Sequence, residues 1–440
     1  MNSITRRLLP VLAVTAVMAA GCSNPAPTAS PKRTPMPTAT PTASASPTGL
    51  VVTMWHTATT DPGKSIWDTA ASMFMSEHPG VTIQIQAMDE ATLDKRLSGV
   101  EVTGEVPDLI ASAGGARLAD LAQKGLLTDI SSSVAAWVSP ASSDIDGMNL
   151  YAVDGKQYGA PWAMGATAFF YNKDLFTRAG VQPPTTWAQF LTVIDKIRSL
   201  NVVPMAIAGR DEWPAMNLWS YLLLREAGSV AYSSMIATNN WNNDYCTKAS
   251  NDLAALVAKS PFEPGYLNAI YDSGEAAWLG NGTAAIDLAG EWAPAEQQVN
   301  STSGKGIGDA LGVFAFPTVD GGAGAAGDAI GSPSGFIVGK HASQTAIDFL
   351  HFLLSRTVED EIGASGLGLP TVESSIQTVT DPGLRELMEA RDQSRSVQLY
   401  LNLVTTPDLT KAIEDAVALL LAGRATAAQT CQAIAAASSK

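Results

Sequence analysis

The stretch at residues 161–176, PWAMGATAFFYNKDLF, constrains the fold more than any other part of the chain. An apolar run through Ala166, Ala168, Phe169 and Phe170 is entered by Pro161-Trp162. It is left through Tyr171-Asn172-Lys173-Asp174, where Asn172 can cap a helix. A buried strand is therefore expected to run straight into a helix. Sequence of α/β character lies on both sides of it, and Gly165 falls where the chain must bend in passing from one unit to the next. One large domain with this stretch as an internal strand is the alternative. At 440 residues the chain exceeds what one hydrophobic core comfortably serves, so two lobes of roughly 150 to 200 residues are expected.

Before this stretch, residues 51–55, 81–86 and 107–112 read as strands, each followed by a loop and a helix. Ile66, Ala70, Met73 and Phe74 share one face of the first helix, Leu93 and Leu97 belong to the second, and Gly125 stops the third at 118–124. Strand, loop and helix repeated three times indicate a parallel sheet. The loops leaving such strands open on one edge, where α/β proteins hold ligands. Here they carry Trp55, His56, Asp89, Glu90, Gly114, Gly115 and Arg117, with no phosphate-binding loop among them. After the stretch, 186–200 is an amphipathic helix and 202–208 a strand delivering Arg210, Asp211 and Trp213 to the start of a long helix. The Ser- and Asn-rich segment 229–245 takes no clear assignment. A strand at 283–289 bears Asp287 and hands over to Gly290-Glu291-Trp292; 311–316 is another strand, and 321–331 a loose Gly/Ala loop. Residues 336–338 and 345–354 read as a return to the first lobe, and 383–437 as helical.

At the N-terminus, Arg6 and Arg7 precede an apolar run at 8–20 that ends in Ala19-Ala20-Gly21-Cys22. Small residues before a cysteine resemble the cleavage site of a bacterial lipoprotein, which implies a signal peptide at 1–21 and a lipidated Cys22 as mature N-terminus. The run is shorter than the ~20 residues that span a bilayer. Residues 23–48 are almost entirely Pro, Ala, Thr and Ser, the composition of a tether. A net charge of -15 with no clustered Lys and Arg excludes nucleic acid as a partner. With Cys22 given to the lipid, Cys246 and Cys431 remain as an even pair in an oxidising compartment, either bridged or two buried thiols. The four histidines show no metal spacing, and neither metal nor cofactor is expected.

Several motifs then fall in a telling order: Val51-Val52-Thr53-Met54-Trp55, Pro107-Asp108-Leu109-Ile110, Lys124-Gly125-Leu126-Leu127, Phe170-Tyr171-Asn172-Lys173-Asp174-Leu175-Phe176, Gly282-Thr283-Ala284-Ala285-Ile286 and Gly290-Glu291-Trp292. Together they resemble the extracellular solute-binding proteins of ABC importers, in particular the carbohydrate binders related to maltose-binding protein. The resemblance implies an α/β, two-lobed periplasmic-binding-protein fold of the Venus-flytrap kind, each lobe a mainly parallel sheet flanked by helices. Crossings between lobes would lie near 164–167, 316–318 and 363–369, giving 49–164 and 318–363 as lobe 1, and 165–317 and 364–440 as lobe 2. It further implies a monomeric receptor rather than an enzyme, anchored outside the cytoplasm by the lipid on Cys22. Such a receptor closes on a mono- or oligosaccharide and presents it to the permease subunits.

A sugar cleft needs an indole against the apolar face of the ring and polar groups for its hydroxyls. Within the family a tryptophan at the position of Trp292 stacks on a sugar ring, and Trp213 lies where a second stacking aromatic often sits. Trp55 also leaves a strand end, and Trp162 adjoins the crossing. Asp211, Glu90, Asp287 and Arg210 are the expected hydroxyl partners, with His56 following Trp55 into its loop. Of the maltodextrin binders' third-strand loop residues, only Arg117 matches, while Ser112, Ala116, Gly165, Thr410 and Glu414 depart from the pattern, which sets maltodextrin itself aside. A surface glycoside hydrolase is the alternative from another class, and would need two carboxylates about 5 to 10 Å apart. A receptor for a non-sugar solute such as a peptide shares the fold class.

Overall fold

The structure, a computed structural model, describes residues 50–137, 147–392 and 396–438. Cys22, the segment 1–21 and the segment 23–48 lie outside the described residues. The first lobe is built on a five-stranded sheet in the order β2 (Val81–Ala87), β1 (Leu50–His56), β3 (Leu109–Ser112), β11 (Pro333–Val338), β6 (Gly159–Met164). β4 (Ala152–Val153) and β5 (Lys156–Gln157) form a small hairpin beside it. β1 runs parallel to β2 and β3, as the repeated strand, loop and helix require. β11 is antiparallel to both β3 and β6, since it returns from the other lobe. Val52 and Met54 face a core with Trp67, Phe74, Phe349 and Leu350, and the opposite face packs on Leu93, Leu97, Leu118 and Leu121.

The second lobe carries a three-stranded sheet, β8 (Ile286–Ala289), β7 (Ala168–Asn172), β9 (Leu311–Phe314). β7 is antiparallel to both neighbours, so this sheet differs in sense from the parallel arrangement expected for each lobe. Phe169, with no exposed surface, stacks among Phe190, Phe314 and Phe316 at 4.8, 5.2 and 5.1 Å. At the end of β7 the Asn172 side chain accepts from the amides of Asp174 and Leu175 and starts the helix Lys173–Ala179.

Residues 161–176 therefore contain two strands in two sheets, and Gly165 lies between them. Three chain segments meet there side by side: the amide of Met164 donates to Leu369 O (3.0 Å), that of Gly165 to Ser332 O (2.9 Å) and that of Thr167 to Ile330 O (2.8 Å). The middle segment is pinned by Arg225, whose buried guanidinium donates to the carbonyls of Phe316 (2.8 Å), Pro317 (3.1 Å) and Asp328 (2.7 Å). The last is pinned by Glu359, which accepts from the amide and hydroxyl of Thr371 at 3.0 and 3.2 Å.

Three local expectations need correction. Residues 318–331 keep company with the second lobe: Thr318 bridges to Thr186, and β10 (Asp328–Gly331) pairs in parallel with β12 (Ser396–Leu399). We therefore propose a return to the first lobe at about residue 332 rather than 317, with β12 interrupting the helical tail. Residues 202–208 form no ladder strand, because Pro204 has no N–H to offer; they run beside β8 through the Val203 to Ala284 bridge and the Ala206 amide on Ile286 O. The unassigned segment continues the helix Trp213–Thr238, broken locally at Gly228 (φ 73°), and buries Trp241 fully.

Cys246 and Cys431 are bridged, with Cα atoms 6.0 Å apart at a sequence separation of 185, fastening the helix Ala427–Ser438 to the helix Asp244–Ala258. Cys431→Ser is expected to lose about 3 to 5 kcal/mol by the loop-closure argument, read as a lower midpoint in denaturant for the oxidised protein and no difference between variant and parent under reductant. An unchanged midpoint under oxidising conditions would show the bridge to be dispensable.

Candidate functional site

On the second lobe, two loops and one strap converge on the crossing. The first is the loop 209–213. Gly209 and Arg210 donate their amides to Tyr266 O and Ala269 O, at 2.9 and 3.1 Å, and Asp211 accepts from the Tyr271 amide at 2.7 Å. Glu212 then takes a left-handed backbone (φ 63°), uncommon for any residue but glycine, and its carboxylate is held by Lys411 at 3.0 Å. This turn launches Trp213 as the first residue of its helix.

The second loop follows β8. Gly290 has no Cβ, and one added there would overlap the Trp292 ring, so glycine is what lets the indole fold back over the chain. The Glu291 carboxylate fills the space where a side chain at Gly165 would stand, which explains why the hinge residue is glycine. From the strap after β12, Tyr400 bonds its hydroxyl to Thr167 Oγ1 at the crossing. Burial first, and the Glu291 charge second, push the Tyr400 phenol well above its ordinary range, so it is a neutral hydroxyl at physiological pH.

These pieces make an aromatic wall. The Trp213 ring meets Tyr271 at 5.0 Å and Trp292 at 6.3 Å with planes 70° apart; Trp292 in turn meets Tyr400 at 6.3 Å. Trp213 and Trp292 are half-buried, whereas Tyr271 and Tyr400 are buried. Sequence reasoning singled out the two indoles and missed the two phenols, because each is a lone tyrosine whose neighbours in sequence carry no motif.

Behind the wall lie three buried acids. Glu275 accepts from the Ala208 amide, immediately before the first loop, and Asp287 accepts from Gln297 Nε2 at 3.2 Å. Burial pushes Glu263 up to about 8 and Asp287 up to about 6, and raises Glu275 well above the carboxylate range. Asp287, expected as a hydroxyl partner, is fully enclosed in this core and cannot present its carboxylate to a ligand.

The other expected residues are placed as follows. Arg210 is exposed on the first loop, and Asp211 has its carboxylate engaged at the Tyr271 amide. Trp55 is half-buried, with the Arg96 guanidinium 5.3 Å above its ring. His56, one residue on, points to the opposite face and is 1 % exposed; Nδ1 accepts from the Ala58 amide at 3.1 Å and burial lowers its pKa, so the ring is neutral with its proton on Nε2. Arg117 pairs with Asp94 at 2.9 Å, and Trp162 packs edge-on against Trp67 at 5.0 Å. Glu90 opens the helix Glu90–Thr103; its side chain lies outside the described residues. The structure thus brings Trp213 and Trp292 together, with Arg210 and Asp211 on the same loop, and places Trp55, His56, Arg117 and Trp162 of the first lobe in packing, hydrogen-bond or ion-pair contacts. A separate groove of about 450 Å³, lined by Ile66, Met73 and Val358, is walled by helices and contains none of these residues.

Two sheet-based lobes joined by three adjacent crossings, with an aromatic wall beside them, define a two-lobed solute-binding protein. The chain belongs to the bacterial extracellular solute-binding protein family, whose model matches residues 57–359. It is similar to an uncharacterised ABC transporter extracellular-binding protein of Pyrococcus horikoshii, 24% identical over 290 residues, covering 64% of this chain and 62% of the relative. It is also similar to a lactose-binding protein of Rhizobium radiobacter, 26% identical over 162 residues, covering 34% and 36%. The chain thus matches less than two thirds of the length of these curated relatives. Among solved structures, a chitin oligosaccharide binding protein superposes with a TM-score of 0.77 at 21% identity, covering 88% of this chain and 98% of that one. A raffinose complex of RafE does so at 0.72 and 17%, covering 88% and 98%. At these identities the superpositions establish the fold.

The buried acids make stability depend on pH. An acid whose folded pKa is raised keeps its proton in the native state after the unfolded chain has lost it, so its contribution is full below about pH 4 and is lost as pH rises through the folded value. With Glu263 and Glu359 both raised to about 8, thermal stability should fall between pH 5 and pH 8, and Glu263→Gln should flatten that slope. A midpoint that stays level or rises over this range would contradict the burial of these groups.

Proposed function

We propose that the protein is a substrate-binding lipoprotein of an ABC importer that captures a mono- or oligosaccharide between its lobes and delivers it to the membrane permease. The carrying observation is the pair of half-buried indoles, Trp213 and Trp292, set 6.3 Å apart at 70° beside the crossing. Two indoles at a steep angle offer one flat surface and one edge, suited to the apolar face and rim of a pyranose. The polar complement is near: Arg210 is exposed on the same loop, and Glu212 and Lys411 form a charged pair beside Trp213. Names of similar proteins, which bind chitin oligosaccharide, raffinose and lactose, point to the same substrate class.

Binding across both lobes would favour the form in which they approach, and that form is what a permease can distinguish from the empty receptor. Cys22 with the tether 23–48 is proposed to hold this body at the extracytoplasmic face of the cell membrane, in reach of the permease.

Titration of the Cys22→Ser chain with a panel of mono- and oligosaccharides, followed by tryptophan emission, tests this reading. A saturable change with at least one sugar is expected, and Trp292→Ala should weaken it about ten- to a hundredfold, the scale of losing one buried aromatic side chain. A response to peptides or amino acids and to no sugar would overturn the substrate class.

A further inference from the structure

We propose that Gly115 is the stop that sets how closely the two lobes approach, and with it the affinity of the interlobe site. Gly115 opens the helix Gly115–Gln123 on the first lobe with a left-handed backbone (φ 69°). Facing it is the helix Leu401–Val404, which belongs to the second lobe: Leu401 is buried in that lobe's core, and Leu403 and Val404 pack against it. A Cβ built at Gly115 would overlap the carbonyl oxygen of Leu403 and come within 3.2 Å of that residue's carbonyl carbon and Cβ. The obstructing atom is backbone, so no rotamer change relieves the overlap. Either the lobes separate or the 401–404 helix is displaced.

Displacement is resisted at its root. Tyr400 is tied to Thr167 at the crossing, and β12 just before it is paired with β10. The 396–404 strap therefore runs from the hinge to the first lobe as one anchored piece, and the backbone contact at Gly115 is where it meets that lobe. A side chain there acts as a wedge. Its effect on lobe spacing needs only the two-lobed fold; its effect on affinity rests on the sugar-binding reading above.

The test pairs Gly115→Ala with Gly125→Ala. Gly125 has a left-handed backbone of the same kind (φ 68°), follows the same helix, and has nothing within 4 Å of its added Cβ. Both variants carry the left-handed penalty, and only the first carries the overlap. Measured on the unliganded Cys22→Ser chain, Gly115→Ala should enlarge the radius of gyration in solution scattering and speed amide exchange at Leu403 and Thr405, whereas Gly125→Ala should change neither. With a sugar that binds the parent, Gly115→Ala should weaken affinity about tenfold or more by depleting the approached form. Should Ala at 115 prevent folding, Gly115→Asn against Gly125→Asn repeats the comparison with a residue that tolerates this backbone region. Equal scattering and exchange for the paired variants would overturn the stop. An absence of sugar binding by the parent would sink only the substrate reading, because scattering and exchange are read without ligand.

Discussion

Three amide hydrogen bonds at the crossing, from Met164, Gly165 and Thr167 to the carbonyls of Leu369, Ser332 and Ile330, align the chain segments that join the two lobes. They bring together chain segments far apart in sequence, so each lobe is assembled from pieces that become neighbours only here. Arg225 secures the middle segment by donating to carbonyl oxygens, and its guanidinium carbon lies 5.4 Å from the Tyr221 ring centre and 5.8 Å from that of Phe316. A buried guanidinium needs its N–H groups satisfied, and a cradle of carbonyls does this while the buried Asp328 carboxylate nearby favours the positive charge. Glu359 does the converse for the last segment, accepting from backbone and hydroxyl donors.

The aromatic wall inherits its position from that crossing. Glu291 sits against Gly165, Trp292 follows it, and Tyr400 is bonded to Thr167, so both members of this half of the wall are referenced to hinge residues. The other half is referenced to the buried acids: Glu275 holds Ala208 ahead of the Trp213 loop, while Asp287 sits on the strand that leads to Trp292. Burial raises both, Glu275 well above the carboxylate range and Asp287 only to about 6, so a protonated Glu275 can donate to Asp287 and the pair avoids mutual repulsion. A platform for a flat ligand is thereby backed by a polar core instead of being hung on a loose loop.

Local chemistry explains what could be read ahead of the structure. The parallel order of β1, β2 and β3, the bend at Gly165, the Asn172 cap and the indole at 292 follow from periodicity, a glycine, a capping side chain and strand-end position. What was illegible is long-range. Asp287 looked like a strand-end carboxylate open to a ligand, yet the acids and Gln297 that enclose it come from other elements. Trp55 looked free until the Arg96 guanidinium, 41 residues later, is found above its ring. Residues 321–331 read as a loose loop because the partner of β10 is β12, far along the chain. Tyr400 carries no motif; its role is given by Thr167, 233 positions earlier.

The most direct measurement is the indole N–H spectrum of the ¹⁵N-labelled protein, assigned by single Trp→Phe variants and followed through a titration with the sugar that binds best. Trp213 and Trp292 should shift together and saturate at one concentration, while Trp67 and Trp219, sealed in the two lobe cores, stay in place. Saturable sugar binding that leaves both Trp213 and Trp292 unmoved would contradict the aromatic wall as the seat of recognition.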